Sequence, residues 1–251
     1  MKNTTKLIIL AAGEGTRLRP LTDNIPKCMV PLEGKPLVER QIETAREVGL
    51  TDIHVIGGYR HDVINYENIT KHVNEAYSST NMVSSLFCAE TALNGDVIVG
   101  YGDIVYQPDV LEALIASSAP VSVIVDKAWK NYWSARMSDP LSDAETLKLG
   151  TDGNILELGK KAASFDEIEG QYIGLIKFSK ESWEKITPFY RSLDKTKLYE
   201  GRDIDGMYMT TFLQLIADQV MPIKAVMIEN GWMEVDESSD LEFTRFLNRE
   251  A

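Results

Sequence analysis

The chain has 251 residues, 44% of them apolar and 25% charged, with a formal net charge of −12 and an isoelectric point near 4.8. That length allows a sizeable core. The acidity excludes general nucleic-acid binding, which draws most of its affinity from Lys and Arg on phosphates, so a phosphate ligand must be met by local cationic groups.

Residues 6–10 read as a buried first strand that runs into glycines. Residues 36–48 place Leu37, Val38, Gln41, Ile42, Ala45 and Val48 on one helical stripe, with Gly49 where a left-handed cap ends it. A second strand covers 53–59 and closes on Gly57, Gly58 and Tyr59. The next helix is expected to be capped by Ser79 or Thr80 and to carry Met82, Val83, Leu86, Phe87 and Leu93 inward. DVIVGYGD is a buried strand ending at Asp103, Pro108-Asp109 opens a helix, and 121–125 is another strand. Residues 126–170 turn irregular, with TLKLGTDGNILEL shaped as a hairpin around 151–154, and look like an insertion. Residues 172–178 return to strand, 180–190 and 205–219 read as helices, 223–228 as strand and 241–248 as a terminal helix.

Strands alternating with helices predict an α/β fold, an open Rossmann-like, mixed but mostly parallel sheet covered by helices on both faces, with a small inserted hairpin or lid. One domain is expected over 1–251, with the insertion at about 126–170. No apolar run is long enough to span a bilayer, and LIILAA is too short for a signal-peptide core. Cys28 and Cys88 lack metal-ligand spacing and read as free thiols. A cytoplasmic protein without membrane or nucleic-acid partners is therefore expected. His54, His61 and His72 have no catalytic partner pattern and read as surface or structural residues.

The segment LAAGEGTRLRPLTDNIPKCMVPL, residues 10–32, concentrates the chemistry. Glycines after a buried strand let backbone N–H groups approach an anion unobstructed, which makes Ala11, Ala12, Gly13, Gly15 and Thr16 a phosphate-loop candidate continuing from Leu10. The loop has neither the Gly-Lys-Ser/Thr ending of a Walker loop nor the third glycine of a dinucleotide fingerprint, where Leu18 stands instead. Arg17 and Lys27, separated by Pro20 and Pro26, supply one fixed and one mobile positive charge. A glycine turn with solvated basic residues is the competing reading.

The whole string resembles the signature of the nucleotidyltransferase family, and the resemblance extends through GGY at 57–59, YGD at 101–103 and WMEVD ending at Asp236. It implies that a substrate phosphate attacks the α-phosphorus of a nucleoside triphosphate and releases pyrophosphate, with no covalent enzyme intermediate. Carried over residue by residue, Arg17 stabilises the leaving pyrophosphate, and Lys27 meets the α-phosphate and the incoming phosphate. Asp103 and Asp236 hold Mg²⁺, the implied cofactor, although an aspartate after a strand is also a common loop or helix cap. Gly58, Tyr59, Asn81, Ser84 and Gly102 join residues 10–16 as nucleotide-binding candidates, with Asn81 and Ser84 equally plausible as helix-capping groups.

The compact chain with TNMVSSLF most resembles the CTP-dependent, phosphocholine-like branch acting on small phosphorylated amines, amino acids or phosphonates. Tyr172 and Trp232 are expected at the acceptor, because aromatic faces attract ammonium groups. Lys160, Glu169 and Asp205 are the other acceptor candidates, of which Lys160 has a plainer role as a solvated flap lysine and Asp205 as a helix cap. The partners implied are CTP and the phosphorylated acceptor, and a homodimer is allowed. A sugar-1-phosphate nucleotidyltransferase using UTP or dTTP is the alternative enzyme, and a catalytically silent nucleotide-binding regulatory module is the alternative outside enzymes.

Overall fold

The computed structural model describes residues 4–250. Strand β1 (Lys6–Ala11) is buried on both faces because its Leu-Ile-Ile-Leu-Ala run is apolar at every position, as a strand between two helix layers requires. After two short strands, β2 (Pro31–Leu32) and β3 (Lys35–Pro36), helix α1 (Leu37–Glu47) leads to β4 (Asp52–Gly57) and β5 (Thr70–Val73). Helix α2 (Met82–Phe87), strands β6 (Val97–Tyr101) and β7 (Ile104–Tyr106), helix α3 (Pro108–Ala116) and β8 (Val121–Asp126) follow. Then come α4 (Trp129–Arg136), β9 (Glu145–Leu149), β10 (Ile155–Lys161) and β11 (Gln171–Phe178). The chain closes with α5 (Lys180–Ser192), α6 (Met209–Gln219), β12 (Lys224–Ile228), β13 (Trp232–Glu234) and α7 (Thr244–Asn248).

Seven strands form one sheet in the order β12-β8-β11-β6-β1-β4-β5. Every pairing is parallel except the two made by β11, which runs against both β6 and β8. The carboxyl ends of β1, β4 and β6 therefore open on one edge, where sheets of this kind bind ligands. Alternate residues of β1 enter two cores. Leu7 and Ile9 pack with Leu37 and Ile42 of α1, Leu111 of α3 and Tyr132 of α4, whereas Ile8 and Leu10 pack with Leu86 of α2 and Phe212 of α6. Gly49 closes α1 at φ +83°, in the left-handed region expected of it.

The hairpin β9–β10 turns at Gly153, and β10 lies against α6, where the Leu158 N–H donates to Gln214 Oε1 at 2.8 Å. Ahead of it, residues expected to be irregular form α4. Its Trp129, Tyr132, Trp133 and Arg136 recur at helical spacing and turn aromatic rings into the core. Four boundaries also differ from expectation. Asn81 rather than Ser79 or Thr80 caps α2, accepting from the Met82 N–H at 2.8 Å, and that helix ends at Phe87, leaving Leu93 beyond a further 3-10 turn. Helix α6 starts at Met209 instead of 205, and the expected terminal helix is split into a 3-10 turn, Ser238–Glu242, and α7. No helix among the described residues is long and apolar enough to cross a membrane.

Candidate active site

The loop after β1 is tied to its neighbours by backbone hydrogen bonds. Tyr59 N–H donates to Ala12 O at 3.1 Å, Gly102 N–H to Leu10 O at 2.9 Å and Lys27 N–H to Gly13 O at 3.2 Å. Two glycines are demanded by this approach, since a Cβ on Gly102 would stand 2.6 Å from Leu10 O and one on Gly58 2.8 Å from Ala12 O. Gly15 sits at φ +67°, and Thr22 Oγ1 donates to its carbonyl at 2.7 Å. Pro26 then leads into the 3-10 turn Lys27–Met29, which directs the Lys27 side chain back over the loop.

Strands β7 and β13 pair antiparallel with Ile104 opposite Glu234, and Val235 N–H donates to Asp103 O at 3.0 Å, so residues far apart in sequence carry Asp103 and Asp236 to one place. Lys27 Nζ bridges them, 2.6 Å from Asp103 Oδ2 and also bonded to Asp236 Oδ1. Arg17 reaches the same Asp236 oxygen at 3.0 Å from a side chain that is 60% exposed, whereas Lys27 is only 15% exposed. Burial lowers the Lys27 pKa, but the attraction of Asp103 and then Asp236 outweighs it, and the ammonium is held above its ordinary value. Burial pushes the Asp236 carboxyl up; Lys27 and then Arg17 overcome this and hold it below its ordinary value.

Two cavities meet at this cluster. The first, about 160 Å³, is lined by Leu10 to Gly13, Lys27, Tyr77, Asn81, Ser85, Gly102 and Asp103. The second, about 200 Å³, is lined by Trp133, Asp143, Glu145, Tyr172, Tyr208, Glu234 and Asp236, and the two share Met82 and Tyr101. Of the four carboxylates around the second cavity, Asp236 pairs with Lys27 and Arg17, Glu234 pairs with Arg136, and Asp143 accepts from Trp133 Nε1 at 3.1 Å. Glu145 forms no ion pair among the described residues. Burial, and then the like charges of Asp143, Glu234 and Glu200, push its carboxyl up to about 7. The buried Tyr172 hydroxyl lies beside Tyr101 and makes no hydrogen bond of good geometry among the described residues.

Arg136, 2% exposed, is fixed by Glu234 and by both oxygens of Asp240, at 2.9 and 3.1 Å. Asp240 Oδ2 in turn accepts the Asp236 and Glu237 N–H groups at 2.7 and 2.8 Å, and the Tyr132 hydroxyl both accepts from and donates to the Glu234 backbone. Helix α4 thus grips the segment that presents Glu234 and Asp236.

The expected site residues divide accordingly. Arg17, Lys27, Asp103 and Asp236 converge, with the loop 10–16, Gly58 and Gly102 beside them. Tyr59 braces the loop from outside, its hydroxyl donating to Asp23 O at 2.8 Å. Asn81 lines the first cavity and also caps α2, while Ser84 donates to Asp205 O at 3.1 Å. Asp205 therefore serves through its backbone, which also receives the Asn81 N–H at 2.8 Å, and its exposed side chain lies away from the second cavity. Tyr172 lines the second cavity; Trp232 does not. The Trp232 ring is 1% exposed in the core, and its indole N–H is held by Asp126 at 2.9 Å. Lys160 stands on an adjoining opening shared with Glu145 and pairs with Glu157 at 2.7 Å. Glu169 is exposed at the base of the hairpin, its backbone N–H bonded to Leu147 O. Sequence reasoning missed Glu145, Asp143 and Arg136, for which the insertion offered no motif. Glu234 was readable, since it lies two residues from Asp236 at the end of a strand and so on the same face.

Comparison with known proteins was consistent with this geometry. Residues 7–157 match the profile of the MobA-like NTP transferase domain. The chain is 45% identical over 246 residues to CTP:phosphoglutamine cytidylyltransferase of Campylobacter jejuni, spanning 94% of this chain and 97% of that protein. It is 40% identical over 98 residues to choline-phosphate cytidylyltransferase of Streptococcus pneumoniae, across 38% of this chain and 43% of that one. A solved structure of CTP:phosphocholine cytidylyltransferase from Streptococcus pneumoniae shares the fold, with a TM-score of 0.70 at 23% identity, covering 97% of this chain and 99% of that one.

Proposed function

The chain belongs to the MobA-like NTP transferase family, and from that premise we propose that it is a CTP-dependent cytidylyltransferase that moves CMP onto a small phosphorylated amine, amino acid or phosphonate. The observation that carries this reading is the junction of two cavities at Lys27, Asp103 and Asp236, one cavity floored by a phosphate-loop backbone and the other acidic and aromatic.

In the reaction a phosphate oxygen of the acceptor attacks the α-phosphorus of CTP, forming one P–O bond as the bond to the β-phosphate breaks and pyrophosphate departs. The chain contributes position and charge. Backbone N–H groups of the loop after β1 cradle the triphosphate, and Lys27, lying between the cavities, meets both the α-phosphate and the incoming oxygen. Arg17, long and exposed, swings from Asp236 to the leaving phosphates. Asp103 and Asp236 fit a divalent cation, since two carboxylates from separate elements meet at one point and already share a cation there, the Lys27 ammonium. Mg²⁺ takes few protein ligands of this kind and completes its shell with phosphate oxygens and water; bound there, it would neutralise developing phosphate charge. The free thiols of Cys28 and Cys88 suit a reducing, cytoplasmic compartment.

The test is pyrophosphate release from CTP, UTP, dTTP and ATP against phosphorylated amines, phosphoamino acids, aminophosphonates and hexose 1-phosphates, with Mg²⁺. Turnover with CTP and an aminated acceptor is expected. Turnover restricted to UTP or dTTP with a hexose phosphate would overturn the assignment, and nucleotide binding without turnover on any acceptor would make the chain a silent module.

A further inference from the structure

Charge accounting in the second cavity leaves one carboxylate without a partner. Asp236, Glu234 and Asp143 each have a cation or an indole N–H, whereas Glu145, at the start of β9 on the inserted hairpin, has only its backbone engaged, by Gln171. Lys161 faces it in register across the hairpin and Lys160 stands on the adjoining opening, but neither forms an ion pair with it, and the charges that weigh on its carboxyl are those of Asp143, Glu234 and Glu200. In the same cavity the Tyr172 hydroxyl is buried without a hydrogen bond of good geometry among the described residues, and Trp133 and Tyr101 complete the wall. A desolvated carboxylate with no cation of its own is unfavourable unless a ligand brings one. An orphaned hydroxyl in the same wall calls for a ligand that can hydrogen-bond.

Resting on the cytidylyltransferase reading above, we propose that Glu145 is the residue that selects the acceptor by its amine: a protonated primary amine donates N–H to the Glu145 carboxylate and to the Tyr172 hydroxyl, with the aromatic wall against its carbon chain. Glu145 meets the amine of the acceptor, while the transferred group meets the centre at Lys27 and Asp236, which lines the same cavity. The primary ammonium is favoured over a quaternary one, which presents charge but no N–H donors and leaves both groups unbonded.

Three acceptors of equal length separate charge from hydrogen bonding: phosphoethanolamine, phosphocholine and 2-hydroxyethyl phosphate. The wild-type protein should prefer phosphoethanolamine. Glu145→Gln should lower kcat/KM for phosphoethanolamine by about 10- to 100-fold, chiefly through KM. It should lower the value for phosphocholine less, leave 2-hydroxyethyl phosphate unchanged or improved, and Glu145→Asp should restore part of the loss. An equal loss on all three acceptors, or no loss on phosphoethanolamine, overturns the role of Glu145 while leaving cytidylyl transfer intact. Failure of the wild-type protein to transfer CMP to any aminated acceptor overturns both together.

Discussion

Glu145→Gln also makes a prediction about stability that needs no substrate. The Glu145 carboxyl stands at about 7 in the folded chain against 4.5 for its ordinary value, because burial and three neighbouring acids oppose its ionisation. A group raised in this way favours the folded state fully below its unfolded pKa, and that contribution is lost as pH rises through the folded value. At 1.36 kcal/mol per pH unit the ionised form costs about 3 kcal/mol at pH 8, and screening through the open cavity mouth reduces this to about 1–2 kcal/mol. The glutamine, neutral and nearly isosteric, removes that cost. For a chain of this size it should raise Tm at pH 8 by roughly 2–8 °C, with most of the gain gone at pH 5. Paired thermal melts of the two proteins at both pH values, without ligand, decide the matter. A glutamine variant less stable at pH 8, or one stabilised equally at both, would show that Glu145 has a partner of its own and that the cavity is not waiting for a cation.

Substitutions at three other residues probe the centre. Lys27→Ala should lower kcat on the order of 10²- to 10³-fold; leaving Asp103 facing Asp236, it should also lower Tm, and Mg²⁺ should raise the Tm of the variant more than that of the parent. Arg136→Leu strands Glu234 and Asp240 in the interior and should cost about 3–5 kcal/mol by urea unfolding, with Arg136→Lys intermediate because it keeps the charge and loses the two-pronged contact with Asp240. Gly102→Ala places a Cβ 2.6 Å from Leu10 O; about 1–3 kcal/mol of overpacking and a KM for CTP raised more than the KM for the acceptor are expected from steady-state kinetics.

The loop-lined first cavity was legible because its signals are local. Glycines, prolines and three cations lie within residues 10–32, directly after a strand whose apolar run declares itself. The acceptor half was not, because it is assembled by long-range contacts. Nothing near Asp103 announces that Ile104 will pair with Glu234, and the rings of α4 lie in a stretch that reads as irregular, so they do not declare themselves as one face of a helix. Trp232 illustrates the ambiguity of an aromatic residue in a motif: it is two positions from Glu234 and packs inward, where Asp126 satisfies its indole. Asp205 misled for a related reason, since a loop aspartate suggests a side-chain role while its carbonyl does the work of receiving α2.

The insertion and the transfer centre are mechanically one unit. Helix α4 reaches the transfer centre through Arg136, whose contact with Asp240 fixes the N–H groups of Asp236 and Glu237, while the same helix offers Trp133 to the acceptor cavity and the hairpin beyond it offers Glu145. A chain that changed its acceptor by altering this region would also disturb the carboxylate nearest the chemistry, unless the Arg136–Asp240 contact were kept. Substitutions at Glu145, which touches neither Arg136 nor Asp240, should therefore move acceptor KM alone, and those at Arg136 should move kcat on every acceptor. The separation follows from what each residue holds: Arg136 braces, through Asp240, the backbone that presents Asp236, and Glu145 pairs with no cation among the described residues.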